Sequence, residues 1–347
     1  MVWSTKKKCI VISLVVLVLA AVVIVLLVIF LKKEGQNVVV TPTDFAIAVN
    51  GEGLITRQLP DGKTNEMDLP KDIDGFRDVT FDVENSNLIF ALSTSSQRVC
   101  SYLLSSSTLT LVNCAGSNIP VSPFVGIAAY GGNLVISGGT GGLSVFTYDT
   151  TDGTINDDPA INGQRLDVVG LPDVQMLSST VIAFSADLGG SPRFGIPISQ
   201  IVDGNVEILR EFRVDGAGFS NAIGPANFAF VNAIATRENG DRVVYTANGI
   251  MTVVDPSQEG SVTVIQGPAG FAATTVAVNV DGTRVVFGGL IAGGSIYIEY
   301  DATDNPLSPI LLQSTGVQGR ITSIGVGNNF IAASSDDQVI ASFPLSS

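Results

Sequence analysis

The sequence predicts an all-β fold, a seven-bladed β-propeller of four-stranded antiparallel blades, preceded by one transmembrane helix. Three observations carry this expectation. A 23-residue apolar run without a charge lies near the start, at residues 9–31. Helical periodicity is nowhere sustained after it. The remainder repeats a unit of short strands and Asn/Gly/Asp turns about every 45 residues, the period of a propeller blade.

The apolar run fixes the first boundaries. At 1.5 Å rise per residue it reaches about 35 Å, enough to span a bilayer with some tilt. A cleaved signal peptide has a shorter apolar region ending at small residues. This run ends Ile29-Phe30-Leu31-Lys32-Lys33, so it reads as an uncleaved signal-anchor. Lys6, Lys7, Lys8 and the amino terminus precede it; Lys32, Lys33 and Glu34 follow. The excess of positive charge places the N-terminus inside. The expected organisation is a cytoplasmic tail (1–8), a transmembrane helix (9–31), a linker (32–37) and a propeller (38–347). The chain is then a single-pass membrane protein with its propeller extracellular or lumenal. The lipid bilayer is its first partner, through residues 9–31.

The seven modules follow in order. Their second strands are expected to begin at Phe45, Leu88, Leu134, Val181, Val243, Val285 and Phe330, 42–47 residues apart save one interval of 62. Module two is the clearest, with four strands over 79–114. Module three runs over 125–158, with INDD at 155–158 as its fourth strand. Modules five and six cover 232–266 and 275–312. Module four is looser and starts near Val174. Module seven (RITSIGVGN onward) lacks a fourth strand of its own. Residues 38–41 either supply that strand and close the ring or form the first strand of module one; the sequence leaves both open. The long interval between modules four and five holds an insertion near 214–230. There Phe219, Asn221 and Asn227 are candidates for a partner-binding loop, since extra length on a regular scaffold often carries function.

VNVDGTRVVFGG (278–289) and RENGDRVVYTANG (237–249) resemble WD40-like and bacterial-type propeller repeats. GGLSVFTYDTTDGTIND (141–157) resembles the strand–turn–strand of lactonase-type seven-bladed propellers. The resemblance covers roughly 38–347. It implies the fold, and it implies no activity. The GH and WD dipeptides of true WD40 repeats are missing. The catalytic His of lactonase-type propellers has no counterpart, because the chain contains no histidine.

Composition excludes several functions. Without His there is no His–Asp catalytic pair and no His-ligated metal. Three cysteines are too few for Cys-rich zinc modules. Residues 1–33 hold five lysines and no acid, which leaves 13 basic and 32 acidic residues beyond them, net −19. Such a surface repels nucleic acid. There is no Walker A pattern and no nucleophile elbow. No cofactor is expected.

Cys100 and Cys114 fall on the third and fourth strands of module two. A hairpin centred on Ser107 sets them opposite one another, at the separation a disulfide needs. Closing a loop of this size contributes about 3 kcal/mol on loop-entropy grounds, and it implies an oxidising compartment. Asp149, Asp152, Asp157 and Asp158 surround the turn TTDGT. Their spacing fits no EF-hand, and Asp-Gly is what a tight hairpin needs, so no metal site is assigned.

Arg77, Asp78, Asp173, Asn232 and Arg320 lie at or just before the first strands of their modules. In a propeller those strands line the central channel, so these residues are candidates for a ligand site at its mouth. The competing role for them is hydrogen bonding between neighbouring blades. With no catalytic set visible, the expected function is binding or scaffolding for a protein or glycan partner. The alternative is a His-free hydrolase or lactonase-like enzyme at the channel mouth, and a third reading is an envelope or surface-layer component.

Overall fold

A computed structural model of the chain describes residues 38–50, 53–93, 96–106, 108–116, 124–138, 142–188, 194–213, 232–236, 243–247, 250–254, 262–265, 267–279, 281–291, 294–303, 308–314, 321–335 and 341–346. The expected tail, transmembrane segment and linker fall outside these residues. Among the described residues no helix is long and apolar enough to cross a membrane.

Every described element is a strand, and the strands form seven antiparallel sheets in chain order. The first sheet contains β1 (Val38–Val40), β2 (Phe45–Asn50), β3 (Gly53–Gln58) and β4 (Thr64–Asp68). The second contains β5 (Asp78–Phe81), β6 (Leu88–Ser93), β7 (Arg98–Ser105) and β8 (Thr108–Ala115). The third contains β9 (Phe124–Tyr130), β10 (Asn133–Gly138), β11 (Gly142–Thr147) and β12 (Ile161–Arg165). The fourth contains β13 (Gly170–Met176), β14 (Val181–Asp187), β15 (Phe194–Val202) and β16 (Asn205–Arg213). The fifth contains β17 (Asn232–Thr236), β18 (Val243–Ala247), β19 (Ile250–Val254) and β20 (Val262–Ile265). The sixth contains β21 (Ala272–Val278), β22 (Arg284–Ile291), β23 (Gly294–Asp301) and β24 (Ser308–Ser314). The seventh has three strands among the described residues, β25 (Ile321–Val326), β26 (Phe330–Ser335) and β27 (Ala341–Pro344).

Residues 35–347 form one compact unit. Its first strands touch in sequence, β1 with β5, β5 with β9, β9 with β13, β13 with β17, β17 with β21 and β21 with β25. The series then returns to its start, because β25 touches β1. Repeated four-stranded antiparallel sheets in this succession fit a β-propeller.

The second strands show why the sequence folds this way. Where their side chains are described, they are buried on both faces, and alternate residues serve alternate seams. In β6, Leu88, Phe90 and Leu92 pack toward the third sheet, while Ile89 and Ala91 pack toward the first. In β2, Phe45, Ile47 and Val49 face the second sheet, and Ala46 and Ala48 face the seventh. The core is therefore a belt of apolar clusters between neighbouring sheets. No sheet has a core of its own, so each depends on its neighbours.

Five of the seven second strands begin where the sequence places them. Two begin one residue earlier, at Asn133 and Arg284. Both extra residues are polar but paired: Asn133 lies opposite Thr147 and Tyr130, and Arg284 opposite Asp301. One expectation changes in detail, and two points about the ring's ends become definite. The INDD segment is not the fourth strand of the third sheet; that strand is β12. Ile155 instead turns inward, 2% exposed, into the seam with the second sheet, leaving Asp157 and Asp158 in solvent. The last sheet is three-stranded among the described residues, in keeping with a module seven that lacks a fourth strand of its own. The choice left open for residues 38–41 resolves in favour of module one, because β1 pairs with β2 through Val38–Ala48 and Val40–Ala46.

The disulfide between Cys100 and Cys114 is formed, with a Cα–Cα distance of 4.0 Å. The hairpin tip is not centred on Ser107, because Ser105 pairs with Thr108 across a two-residue loop. A bulge between Ser101 and Tyr102 then shifts the register by one residue and sets the cysteines opposite each other. Two departures from the simplest hairpin cancel, and the expected pairing stands.

Candidate functional site

One position recurs on the first strands. Asp78, Gly126, Asp173, Thr275 and Ser323 each pair with the fifth residue of the strand that follows, namely Leu92, Ser137, Ser185, Gly288 and Ser334. Asn232, opposite Thr246, stands next to the same level in the fifth sheet. Bulges accompany it. The ladder shifts between Gly170 and Asp173, Asn232 and Ala235, Ala273 and Thr275, and Ile321 and Ser323. A bulge leaves backbone groups outside the ladder and re-aims side chains, so polar residues at this level have donors and acceptors to satisfy.

They satisfy the next sheet. Asp78 accepts from its neighbour Val79 N at 2.9 Å through Oδ1, and its Oδ2 accepts from Ile127 N on β9 at 3.0 Å. Thr274, one residue before the recurring level, donates its hydroxyl to the Ile321 carbonyl on β25 at 2.7 Å. Ser323 Oγ accepts from Val38 N on β1 at 3.0 Å. Asp173 accepts from Val174 N at 2.8 Å. Glycine serves where the backbones come closest. A Cβ on Gly325 would lie 2.8 Å from Val40 N, and one on Gly126 3.1 Å from Asp173 Cα.

Of the residues expected at the channel mouth, Asp78, Asp173 and Asn232 thus stand at nearly one level of three first strands. Asp78 bonds across a seam. Arg77 is half-buried just before β5, with its N–H donated to the Leu92 carbonyl at 2.7 Å. Arg320, and the loop residues Phe219, Asn221 and Asn227, lie outside the described residues. Sequence reasoning missed Thr274 and Ser323. Their signal was present: a small hydroxyl at (Ser323) or one residue before (Thr274) the point in the repeat where modules two and four carry Asp.

A second set of polar side chains stitches the seams away from that level. Asp44 is buried and takes a positive φ of 57°. Its Oδ1 accepts from Asn329 N at 2.9 Å and Phe330 N at 3.3 Å, and its Oδ2 from Asn329 Nδ2 at 2.6 Å. Asn113 Oδ1 accepts from Ile155 N at 3.0 Å, while its Nδ2 donates to the Ile155 carbonyl at 2.8 Å. Glu299 is fully buried on β23. It meets Arg284 Nε at 3.3 Å and accepts from Ser346 N at 3.1 Å, which ties the end of the described chain to the sixth sheet. Burial raises the phenols of Tyr102 and Tyr300, and burial with the nearby Glu299 charge pushes Tyr297 up to about 12.

The acidic turn has a local role. Asp149 Oδ1 accepts from Thr151 N at 2.7 Å and Asp152 Oδ1 from Thr154 N at 2.8 Å. These are Asx-type turn caps, and the Thr154 N–H holds the Asp152 carboxyl below its ordinary value. Among the described residues no group of three or more Cys, Asp or Glu side chains is placed to hold a metal ion.

No family profile and no curated protein matches this sequence. Solved structures do match in fold. A chain from the crystal structure of a mitotic checkpoint complex is similar over 91% of this chain and 91% of its own, with a TM-score of 0.64 at 8% identity. In all, 1267 chains of solved structures match; a likeness that broad shows the fold and selects no activity.

Proposed function

We propose that this protein is a closed seven-bladed propeller, anchored in a membrane by residues 9–31 and displayed outside the cytoplasm, whose rim binds a protein or glycan partner. The fold likeness supports a binding module in general, and the similar chain is itself part of a multi-component complex. The observation that carries the reading is the use made of the inner polar residues. Asp78, Thr274 and Ser323 bond one sheet to the next. That makes a rigid ring, and a rigid ring is a scaffold for its connecting loops. The disulfide supports an oxidising compartment, and the uncharged 9–31 run supports the anchor.

Two measurements test this. A Cys9→Ser, Asp152→Cys variant carries one unpaired thiol at an exposed turn. A membrane-impermeant maleimide should label it in intact cells; labelling only after permeabilisation overturns the topology. For binding, cells displaying the full chain should lose surface proximity partners when Phe219, Asn221 and Asn227 are together changed to Ala, with the melting temperature unchanged. Partners retained by that variant would move binding off this loop. Loss of partners on Arg77→Ala instead would point to the channel mouth.

A further inference from the structure

We propose that Asn162 is a site of spontaneous covalent modification, its carboxamide closing onto the Gly163 nitrogen to give aspartyl and isoaspartyl forms, and that the Ser144 hydroxyl restrains the reaction. Among the described residues Asn162-Gly163 is the one Asn-Gly step. It lies on β12, the outermost strand of the third sheet. The ladder pairs Leu143 with Gln164 and Val145 with Ile161, so Asn162 and Gly163 both fall opposite Ser144 in a bulge. A bulge leaves backbone groups outside the ladder. The Gly163 N–H donates instead to Ser144 Oγ, at 3.0 Å, and Ser144 is fully buried. Asn162 is exposed, and its carboxamide has no partner among the described residues.

Glycine supplies what ring closure needs. It has no Cβ to obstruct the approach, and Gly163 holds a φ of 67°. Once hydroxide takes its proton, the Gly163 nitrogen attacks Asn162 Cγ. The new C–N bond forms as the Cγ–Nδ2 bond breaks, and Nδ2 leaves as ammonia with a proton from water, which restores the hydroxide. Water then opens the five-membered imide at one of its two carbonyls. Breaking the bond to Cγ leaves an aspartyl residue. Breaking the bond to the main-chain carbonyl carbon leaves an isoaspartyl residue, with the chain rerouted through Cβ and Cγ. Nothing is oxidised or reduced. At Asp61-Gly62, Asp152-Gly153 and Asp281-Gly282 the glycine N–H is held by a backbone carbonyl, of Gln58, Asp149 and Asn279. At Gly163 the acceptor is a side chain, which one substitution removes.

The product has a structural consequence. Two residues on, Gln164 ties the third sheet to the fourth: its Nε2 donates to the Val206 carbonyl and its Oε1 accepts from Val206 N, both at 2.7 Å. An extra main-chain atom at position 162 moves Gln164 off that pair. The modification therefore loosens the outer part of the seam between β12 and β16.

The test is peptide mapping of the purified full chain in detergent, sampled during incubation at mildly alkaline pH beside a urea-unfolded sample. The expected result is a gain of about 1 Da at Asn162, with isoaspartate identified by its fragment ions. Asn133 and Asn205, which no glycine follows, should stay intact. Ser144→Ala should quicken the reaction of the folded chain about fivefold, the factor that a neutral hydrogen bond of ordinary strength represents, and leave the unfolded reaction unchanged. Asn162→Gln, which would have to close a larger ring, should abolish the gain and keep the melting temperature, because the side chain is exposed. Amide exchange at Val206 should quicken as the isoaspartyl fraction grows. Asn162 left intact in the folded chain over the time in which the unfolded chain converts overturns the site. Equal folded-state rates in the parent and Ser144→Ala overturn the restraint, and unchanged exchange at Val206 overturns the loosening.

Discussion

The seam between the second and third sheets and the seam between the seventh and first are built from different materials. The former packs Leu88, Phe90, Leu92, Leu134, Ile136 and Phe146 together, with the Phe90 and Tyr148 rings 4.6 Å apart. The latter packs Val38, Val40, Ala46, Ala48, Leu59 and Ala332, with no aromatic among its buried members. It relies instead on Asp44 clasping Asn329, Ser323 holding Val38, and the Ser342 hydroxyl bonded to the Pro60 carbonyl at 3.3 Å. The difference follows from connectivity. The second and third sheets are joined by residues 116–123 alone, so large apolar side chains meet there at little entropic cost. The closing partners are 285 residues apart in sequence, and their encounter carries the loop-closure cost of the whole ring. Small residues let those backbones approach, as Gly325 against Val40 shows, and directional bonds set the register.

This contrast breaks most visibly at Phe90. Phe90→Ala removes a fully buried ring from the apolar seam and should cost about 3–5 kcal/mol, measured by urea unfolding of the full chain in detergent. A loss under about 1 kcal/mol would mean the seam repacks and is no core. The disulfide comes next. Replacing both Cys100 and Cys114 by Ser should cost about 3 kcal/mol, as a fall in the urea midpoint that reductant reproduces in the parent protein. A parent midpoint insensitive to reductant would show that the hairpin is held by its ladder alone.

Asp44 probes the closing seam. Asp44→Ala leaves the Asn329 and Phe330 amides without their acceptor and should cost about 2–3 kcal/mol. The distribution of the damage separates the two seams. Hydrogen exchange should quicken in β1, β2, β25 and β26 and stay slow in β6 and β10. Uniform quickening would show that the ring opens only by global unfolding and that the closing seam is not its weak point.

The sequence made the repeat legible because second strands such as β2 and β6 are buried on both faces. Nearly continuous apolar runs such as Leu88–Leu92 stand out between turns rich in Asn, Gly and Asp. Asn133 and Arg284 escaped because each is a polar residue that a ladder partner accommodates at the start of a strand. The outer strands were less legible. β12 (INGQR) is half-exposed and carries little apolar signal, and Ile155 offered a stronger one in the wrong place. The inner polar residues were visible as residues but not as a set. Asp78, Asp173 and Ser323 share a level only once each register is known, and the bulges that bring Asp173 and Ser323 there leave no composition of their own. Nor could spacing show that Asp82 would be fully buried while Glu84, two residues on, stays in solvent. That depends on Gly131 arriving from another sheet.

The smallest effect is the most discriminating. Ser323 and Asp78 occupy the same level of the repeat, and each accepts a backbone N–H from the next first strand. Ser323→Ala removes one neutral acceptor and should cost about 1 kcal/mol. Ser323→Asp restores an acceptor of the kind Asp78 provides, but beside the small, crowded Val38–Val40 strand. If the level is an interchangeable latch, Ser323→Asp should unfold at a urea midpoint at or above that of Ser323→Ala. If instead the closing seam is specified by size, the carboxylate should lower the midpoint further, since the larger group meets a backbone that Gly325 shows to be in contact already. The first result would make the seven seams variations on one bond. The second would make the closing seam a distinct structure, fitted to the small residues that line it.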